Sequence, residues 1–241
     1  MQNIADSTHP GLQADSWEGN DPKVSNDRDK SIMQWNVNGL KKRWKTGSFK
    51  KTVTEANFPD HILMTEVRCT SGAAKQLRGF QTFLQMHGYQ FCYWHWSSSP
   101  TKGAQGYAGV ALLSKTQPSW VSFGLPNPLP TDDEARILTA EYPNYTLVCS
   151  YTPNSGSNAY PTNMSGRLAF DARQRKYLVN ESAKCKAKNS HVIWCGDLNV
   201  APNENDAHSA VFKIIPMKTR SAQDKVPGFC PSVSKEERDS Y

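Results

Sequence analysis

Late in the chain, Val192, Ile193, Trp194 and Cys195 form an apolar run that empties directly into Gly196-Asp197-Leu198-Asn199. A run this short, bounded by glycine and polar residues, reads as a buried strand whose end presents a carboxylate and a carboxamide together. An Asp there can take a proton from water or hold a metal, while the Asn, which does not titrate, can orient the same water or a phosphate oxygen. Alone, the tetrapeptide reads equally as an ordinary turn after a strand. What narrows the reading is that four earlier segments share its design: Trp35-Asn36-Val37-Asn38-Gly39-Leu40, Ile62-Leu63-Met64-Thr65-Glu66-Val67-Arg68, the stretch from Gly106-Tyr107-Ala108-Gly109 to Ser114, and Tyr151-Thr152-Pro153-Asn154-Ser155-Gly156. Each is a strand-like run whose end carries an amide, a carboxylate, a phenol or a glycine. A fold that brings those ends together makes one polar site.

From Ser31 onward, short apolar runs alternate with helical stretches, which favours an α/β or α+β architecture. The spacing of Ala73, Leu77, Phe80 and Leu84 predicts a helix over 71–86 with one core-facing stripe. Strands are expected at 89–96, 109–114, 120–123, 137–142 and 145–151. A second long helix over 167–184 leads to the strand that starts near Val192. At 241 residues the chain fits one domain with a sizeable core, here 31–241. Residues 1–30 are rich in Asp, Asn, Ser, Gly and Pro, lack periodicity, and read as a disordered tail.

Six cysteines (Cys69, Cys92, Cys149, Cys185, Cys195, Cys230) are scattered with no C-x-x-C and lie mostly in apolar runs, so they read as reduced core residues. No apolar run is long enough to span a bilayer, and no secretory signal opens the sequence. These features imply an intracellular protein without a membrane partner. The net charge of +6 is unevenly spread. The first thirty residues carry six acids and three bases, so the body holds the positive excess. Clusters at Lys41-Lys42-Arg43, Lys45, Lys50-Lys51 and Lys184 to Lys188 suit a polyanion, because counterion release gives sequence-independent affinity. Any one cluster also reads as a solvated surface of mixed charge.

In this order, and with the later Pro227-Gly228-Phe229, the motifs resemble the exonuclease III / apurinic-apyrimidinic (AP) endonuclease branch of the endonuclease/exonuclease/phosphatase superfamily. The resemblance extends from about Ser31 to Arg238. It implies an α/β (α+β) four-layer sandwich: two packed β-sheets flanked by helices, with the active site at one end. It implies a DNA repair nuclease that uses Mg2+, with Mn2+ as a substitute, to hydrolyse the backbone 5′ to an abasic site in duplex DNA. Exonuclease and 3′ end-cleaning activities belong to the same branch. The expected state is a monomer, in the nucleus rather than the mitochondrion.

Phosphodiester hydrolysis needs charge neutralised on the phosphoryl oxygens, a water aimed in line, and a stabilised leaving alkoxide. Magnesium prefers oxygen ligands and needs only one or two protein carboxylates. Glu66, at the end of its strand, is the leading ligand candidate; read without the family, it is a strand-end acid paired with Arg68. Carried over from the family, Glu66, Asn36, Asp197 and Asn199 form the metal set. Asp197 handles the attacking water, Asn199 orients phosphate and metal, and Tyr151 contacts the scissile phosphate as a phenol or phenolate. Asn38 stands where some members have Asp, which lowers the negative charge. Asn154, Tyr107, Arg136 and Arg167 match positions that face DNA or brace the site, and Asn38 and Arg68 complete the expected DNA- and phosphate-binding set, with Arg68 replacing a customary Lys and Thr65 a Gln.

Asp60-His61 is an acid-histidine dipeptide placed at the start of the Glu66 strand, away from the chemistry. The family supplies a catalytic Asp-His pair from a terminal Ser-Asp-His loop, and the sequence stops at Arg238-Asp239-Ser240-Tyr241 without it. The expectation is a second sheet lacking its last strands and little incision by the 241 residues alone. The alternatives are a non-catalytic DNA-binding remnant and a retroelement endonuclease domain.

Overall fold

The computed structural model describes residues 30–97, 106–129, 134–155 and 164–201. The polar tail, Gly156, Pro202, the Pro227-Gly228-Phe229 motif, Cys230 and the C-terminal residues lie outside them. In chain order the elements are β1 (Ile32–Asn36), α1 (Leu40–Lys45), α2 (Ser48–Glu55), β2 (His61–Thr65), α3 (Ser71–Lys75), α4 (Phe80–Met86), β3 (Phe91–His95), β4 (Val110–Ser114), β5 (Trp120–Phe123), β6 (Ile137–Glu141), β7 (Tyr145–Tyr151), α5 (Met164–Ala187) and β8 (His191–Asp197).

They form two four-stranded mixed sheets, ordered β1-β2-β4-β3 and β5-β6-β7-β8. Each sheet contains one parallel pair joined through helices: β1 with β2, and β7 with β8. The other neighbours are antiparallel. Helical crossovers cover both outer faces, so the central strands are buried on both sides and read as continuous apolar runs. In β2, Ile62 and Met64 join the core under α1 to α4, while Leu63 points between the sheets with Leu112, Leu138, Leu147 and Cys149. In β7, Val148 turns the other way, onto Phe170 and Tyr177 of α5. The strict alternation of strand side chains thus builds three cores and four layers.

Two local readings change. The 71–86 stripe is carried by two helices, since Gly79 enters a left-handed conformation (φ 74°) and starts α4 anew. Leu77, Phe80 and Leu84 are still buried. Helices α1 and α2 went unread because LKKRWK and SFKKTVTE carry few apolar residues, yet Leu40, Phe49 and Val53 are fully buried. Gly196 is forced by packing: a Cβ there would overlap the Ser150 carbonyl of the paired strand. Cys69, Cys92, Cys149, Cys185 and Cys195 are free thiols. Burial pushes Cys92 up to about 12 and Cys195 up to about 11, which keeps them protonated and inert.

Candidate active site

The two parallel pairs decide where the polar strand ends go. Asn36 is the register partner of Thr65, and Tyr151 that of Asp197, so each pair finishes level at one edge of its sheet. Two hydrogen bonds then cross between the sheets at that edge. The Asn36 amide donates to Asp197 Oδ2 (2.6 Å), and the Tyr151 hydroxyl donates to Glu66 Oε1 (3.0 Å). Residues 161 and 85 positions apart become direct partners.

Around Asp197 the amides close in. Its other oxygen accepts from the Asn199 backbone N–H (3.1 Å), and its carbonyl accepts from Thr152 N–H (2.9 Å). The Asn199 side chain donates to the Thr152 carbonyl (2.8 Å). Asn38 is exposed and donates its backbone N–H to Asn36 Oδ1 (3.0 Å), which fixes the amide that holds Asp197. Asp197 is thereby held from two sides.

Around Glu66 the neighbours are charged or aromatic. Arg68 Nη2 lies 2.6 Å from Glu66 Oε2, so the ion pair anticipated as the alternative reading of Glu66 is present. Tyr151 is 6% exposed, and its phenol is pushed well above the usual tyrosine range, first by burial and further by Glu66, against the opposing pull of Arg136. Burial thus favours the protonated phenol that donates to Glu66 over the phenolate. Tyr107 is 40% exposed and close enough to act electrostatically on Tyr151. Asn154 is exposed on the loop after β7.

Backbone strain gathers at this edge. Asn38, Glu66, Arg68 and Asn199 have φ of 44°, 52°, 45° and 47°, a region that side chains other than glycine and asparagine seldom enter. The loop after β2 is held by bonds on both sides. Gly39 N–H donates to the Glu66 carbonyl and Leu40 N–H to that of Val67 (both 2.9 Å), while Arg68 N–H donates to Ala108 (2.8 Å). This wiring turns Glu66 and Arg68 outward together.

Arg136 and Arg167 had been matched to positions that face DNA or brace the site, and both are braces here. Arg136 is 8% exposed; it pairs with Glu134 (2.6 Å), donates to the Tyr151 carbonyl (2.9 Å) and lies over the Tyr151 ring at 4.4 Å. Arg167 has no exposed surface. Its guanidinium pairs with Asp171 (2.8 Å) and donates to the carbonyls of Pro153, Leu198 and Asn199. A guanidinium spent in this way is out of reach of a phosphate, so its contribution is to fix the loops after β7 and β8. Glu134, Asp171 and Thr152 were missed in the sequence. The i,i+4 spacing of Arg167 and Asp171 on a helix was the available signal.

Asp60 and His61 stand at the opposite end of β2. Asp60 accepts from Ser31, and His61 bonds Ser114 Oγ (3.0 Å) and Tyr145 OH (2.6 Å). The basic clusters also separate. Lys41, Lys42 and Lys45 are exposed on α1, which starts directly after the Asn38 turn. Lys184 and Lys188 lie at the far end of α5, paired with Glu181 and Glu141. Of these two, the α1 cluster is the one that follows a site residue directly in the chain.

As a donor set, Glu66 and Asp197 with the amides of Asn36 and Asn199 offer hard oxygens. No group of three or more His, Cys, Asp or Glu is arranged for a metal among the described residues. That chemistry fits a cation content with one or two carboxylates and water, and not a closed zinc site. No helix among the described residues is long and apolar enough to cross a membrane.

Known proteins share both the sequence pattern and the fold of this chain. The chain is 31% identical over 210 residues to "DNA repair nuclease APEX1" of Danio rerio, covering 87% of this chain and 57% of the relative. It is 30% identical over 188 residues to a "DNA-(apurinic or apyrimidinic site) endonuclease" of Dictyostelium discoideum, covering 77% and 46%. The chain thus spans about half the length of these curated relatives. Among solved structures, a 3′-5′ exonuclease (NExo) from Neisseria meningitidis shares the fold with a TM-score of 0.61 at 23% identity, covering 87% of this chain and 68% of its own. Residues 33–212 match the endonuclease/exonuclease/phosphatase family, and the chain belongs to that family.

Proposed function

We propose that the chain carries a DNA-repair phosphodiesterase site that hydrolyses the backbone of duplex DNA 5′ to an abasic site. The observation that carries this reading is the pair of cross-sheet hydrogen bonds, Asn36 to Asp197 and Tyr151 to Glu66, which assemble four strand ends into one site. The relatives' names, an abasic-site endonuclease and a DNA repair nuclease, favour the substrate. The exposed lysines of α1 supply the polyanion-facing flank.

In this reading Asp197 accepts the proton of the attacking water, and Asn36 and the Asn199 N–H keep its carboxylate aimed. Tyr151 donates to charge developing on the phosphoryl group, with Arg136 fixing the ring from its face and its carbonyl. Glu66 and Asp197, with Asn36 and Asn199, would hold Mg2+ or Mn2+. Such a cation supplies neutralisation of phosphoryl charge and of the leaving alkoxide. Arg68, Tyr107 and Asn154 take the exposed positions from which the backbone is met.

The test is cleavage of an abasic duplex in Mg2+ by the 241-residue chain, and by the same chain followed by a relative's C-terminal segment. Incision 5′ to the lesion in either, abolished by Asp197→Asn, is the expected result. Salt-sensitive binding with no cleavage in both would replace the enzyme by a DNA-binding module.

A further inference from the structure

We infer that Arg68 is a built-in counter-ion for Glu66 that competes with a divalent cation for this carboxylate, so that this residue sets how tightly the site takes its metal. The inference rests on the proposed metal role of Glu66. Both oxygens of that carboxylate already have partners: Oε1 accepts from Tyr151, and Oε2 pairs with the Arg68 guanidinium at 2.6 Å. The Tyr151 bond is compatible with a cation, since the phenol is a neutral donor and the oxygen keeps a lone pair. The Arg68 contact opposes a cation: the guanidinium occupies Oε2, which leaves a cation the remaining lone pair of Oε1 unless the arginine withdraws, and its full positive charge repels a second cation at either oxygen.

The two partners differ in freedom. The Glu66 side chain is 12% exposed and anchored from the buried side by Tyr151, whereas that of Arg68 is 44% exposed. A cation that takes both oxygens therefore moves the arginine and leaves the carboxylate in place. The released guanidinium remains at the mouth of the site, where a phosphate can take the role that the carboxylate had. Cation loading and backbone binding are thereby coupled through one side chain. Arginine makes the competition stronger than a lysine here would, since its planar fork keeps more donors on a carboxylate than an ammonium does. Asn38 sharpens it further, because among the described residues the site then has Glu66 and Asp197 alone to attract a cation.

The test is direct Mn2+ binding, followed by electron paramagnetic resonance of the free ion, in the wild-type chain and in the Arg68→Met, Arg68→Lys and Glu66→Gln variants, with folding checked by circular dichroism. Arg68→Met is expected to bind Mn2+ about three- to tenfold more tightly, the scale of a half-exposed charge pair, with Arg68→Lys between it and wild type. In the same variant, Ca2+ should no longer strengthen binding to a duplex carrying a non-cleavable abasic analogue. Equal or weaker Mn2+ binding in Arg68→Met, with Glu66→Gln still impaired, would overturn the counter-ion role alone. Unchanged Mn2+ binding in Glu66→Gln would instead remove the metal reading on which it rests.

Discussion

Tyr151 meets three neighbours at once: the Glu66 carboxylate at its hydroxyl, Arg136 over its ring, and Asp197 as its register partner on β8. Because burial holds the phenol protonated, its contribution is that of a donor. Replacing it with Phe should slow cleavage by roughly ten- to a thousandfold, the range for removing one stabilising donor. Wild-type turnover in Tyr151→Phe would exclude the hydroxyl from the chemistry. Asp197 differs, since its carboxylate is the group assigned to the water. Asp197→Asn keeps the shape and should abolish the chemical step while leaving affinity for an abasic duplex within a few-fold, read as kcat against Kd. A parallel loss of both would assign Asp197 a structural role. At this scale the sequence was informative about chemical type and silent about partners. Glycine, aspartate and asparagine at strand ends stand out by eye, but nothing near Asn36 tells that its amide donates to a carboxylate 161 residues away.

At the level of elements, the pairing of β7 with β8 carries the site, and at Gly196 the facing Ser150 backbone leaves no room for a side chain. Any side chain there must displace the Ser150 backbone, one residue before Tyr151. Gly196→Ala should therefore cost about 2 kcal/mol or more, from overlap and a left-handed φ of 154°, measured by urea unfolding. A variant as stable as wild type would show that the strands part without penalty. Apolar runs marked the strands well because both sheets are covered on both faces. The helices were less legible: the Ala73-to-Leu84 stripe held its face across a break at Gly79, and the lysine-rich α1 and α2 bury too few residues to show a period. Arg136 and Arg167 illustrate the limit of reading charge from sequence. Both are basic residues near the site, and both are buried under it, where acids and carbonyls consume their donors.

Across the whole molecule, charge and burial predict two bulk behaviours. Replacing Lys41, Lys42 and Lys45 with Gln should weaken DNA binding and flatten the plot of log affinity against log salt by about two to three units. The same change at Lys184, Lys186 and Lys188 should leave that slope alone, because two of these are paired with acids at the far end of α5. Equal effects from the two sets would mean that DNA does not favour the α1 side. Burial also pushes the imidazoles of His61 and His95 down to about 4 from 6.5. The unfolded chain then binds more protons between these values, so stability should fall as pH drops from about 6.5 towards about 4. Urea midpoints at about pH 7 and about pH 5 check this, and an unchanged midpoint would remove the buried neutral histidines. The two cross-sheet bonds described at the active edge also bear on how the molecule comes into being. Neither can close until chain segments 161 and 85 residues apart have met, which makes them among the last contacts that a folding chain can form. A chain whose sheets have not yet docked lacks the site altogether, so the proposed hydrolysis would arrive only with that docking.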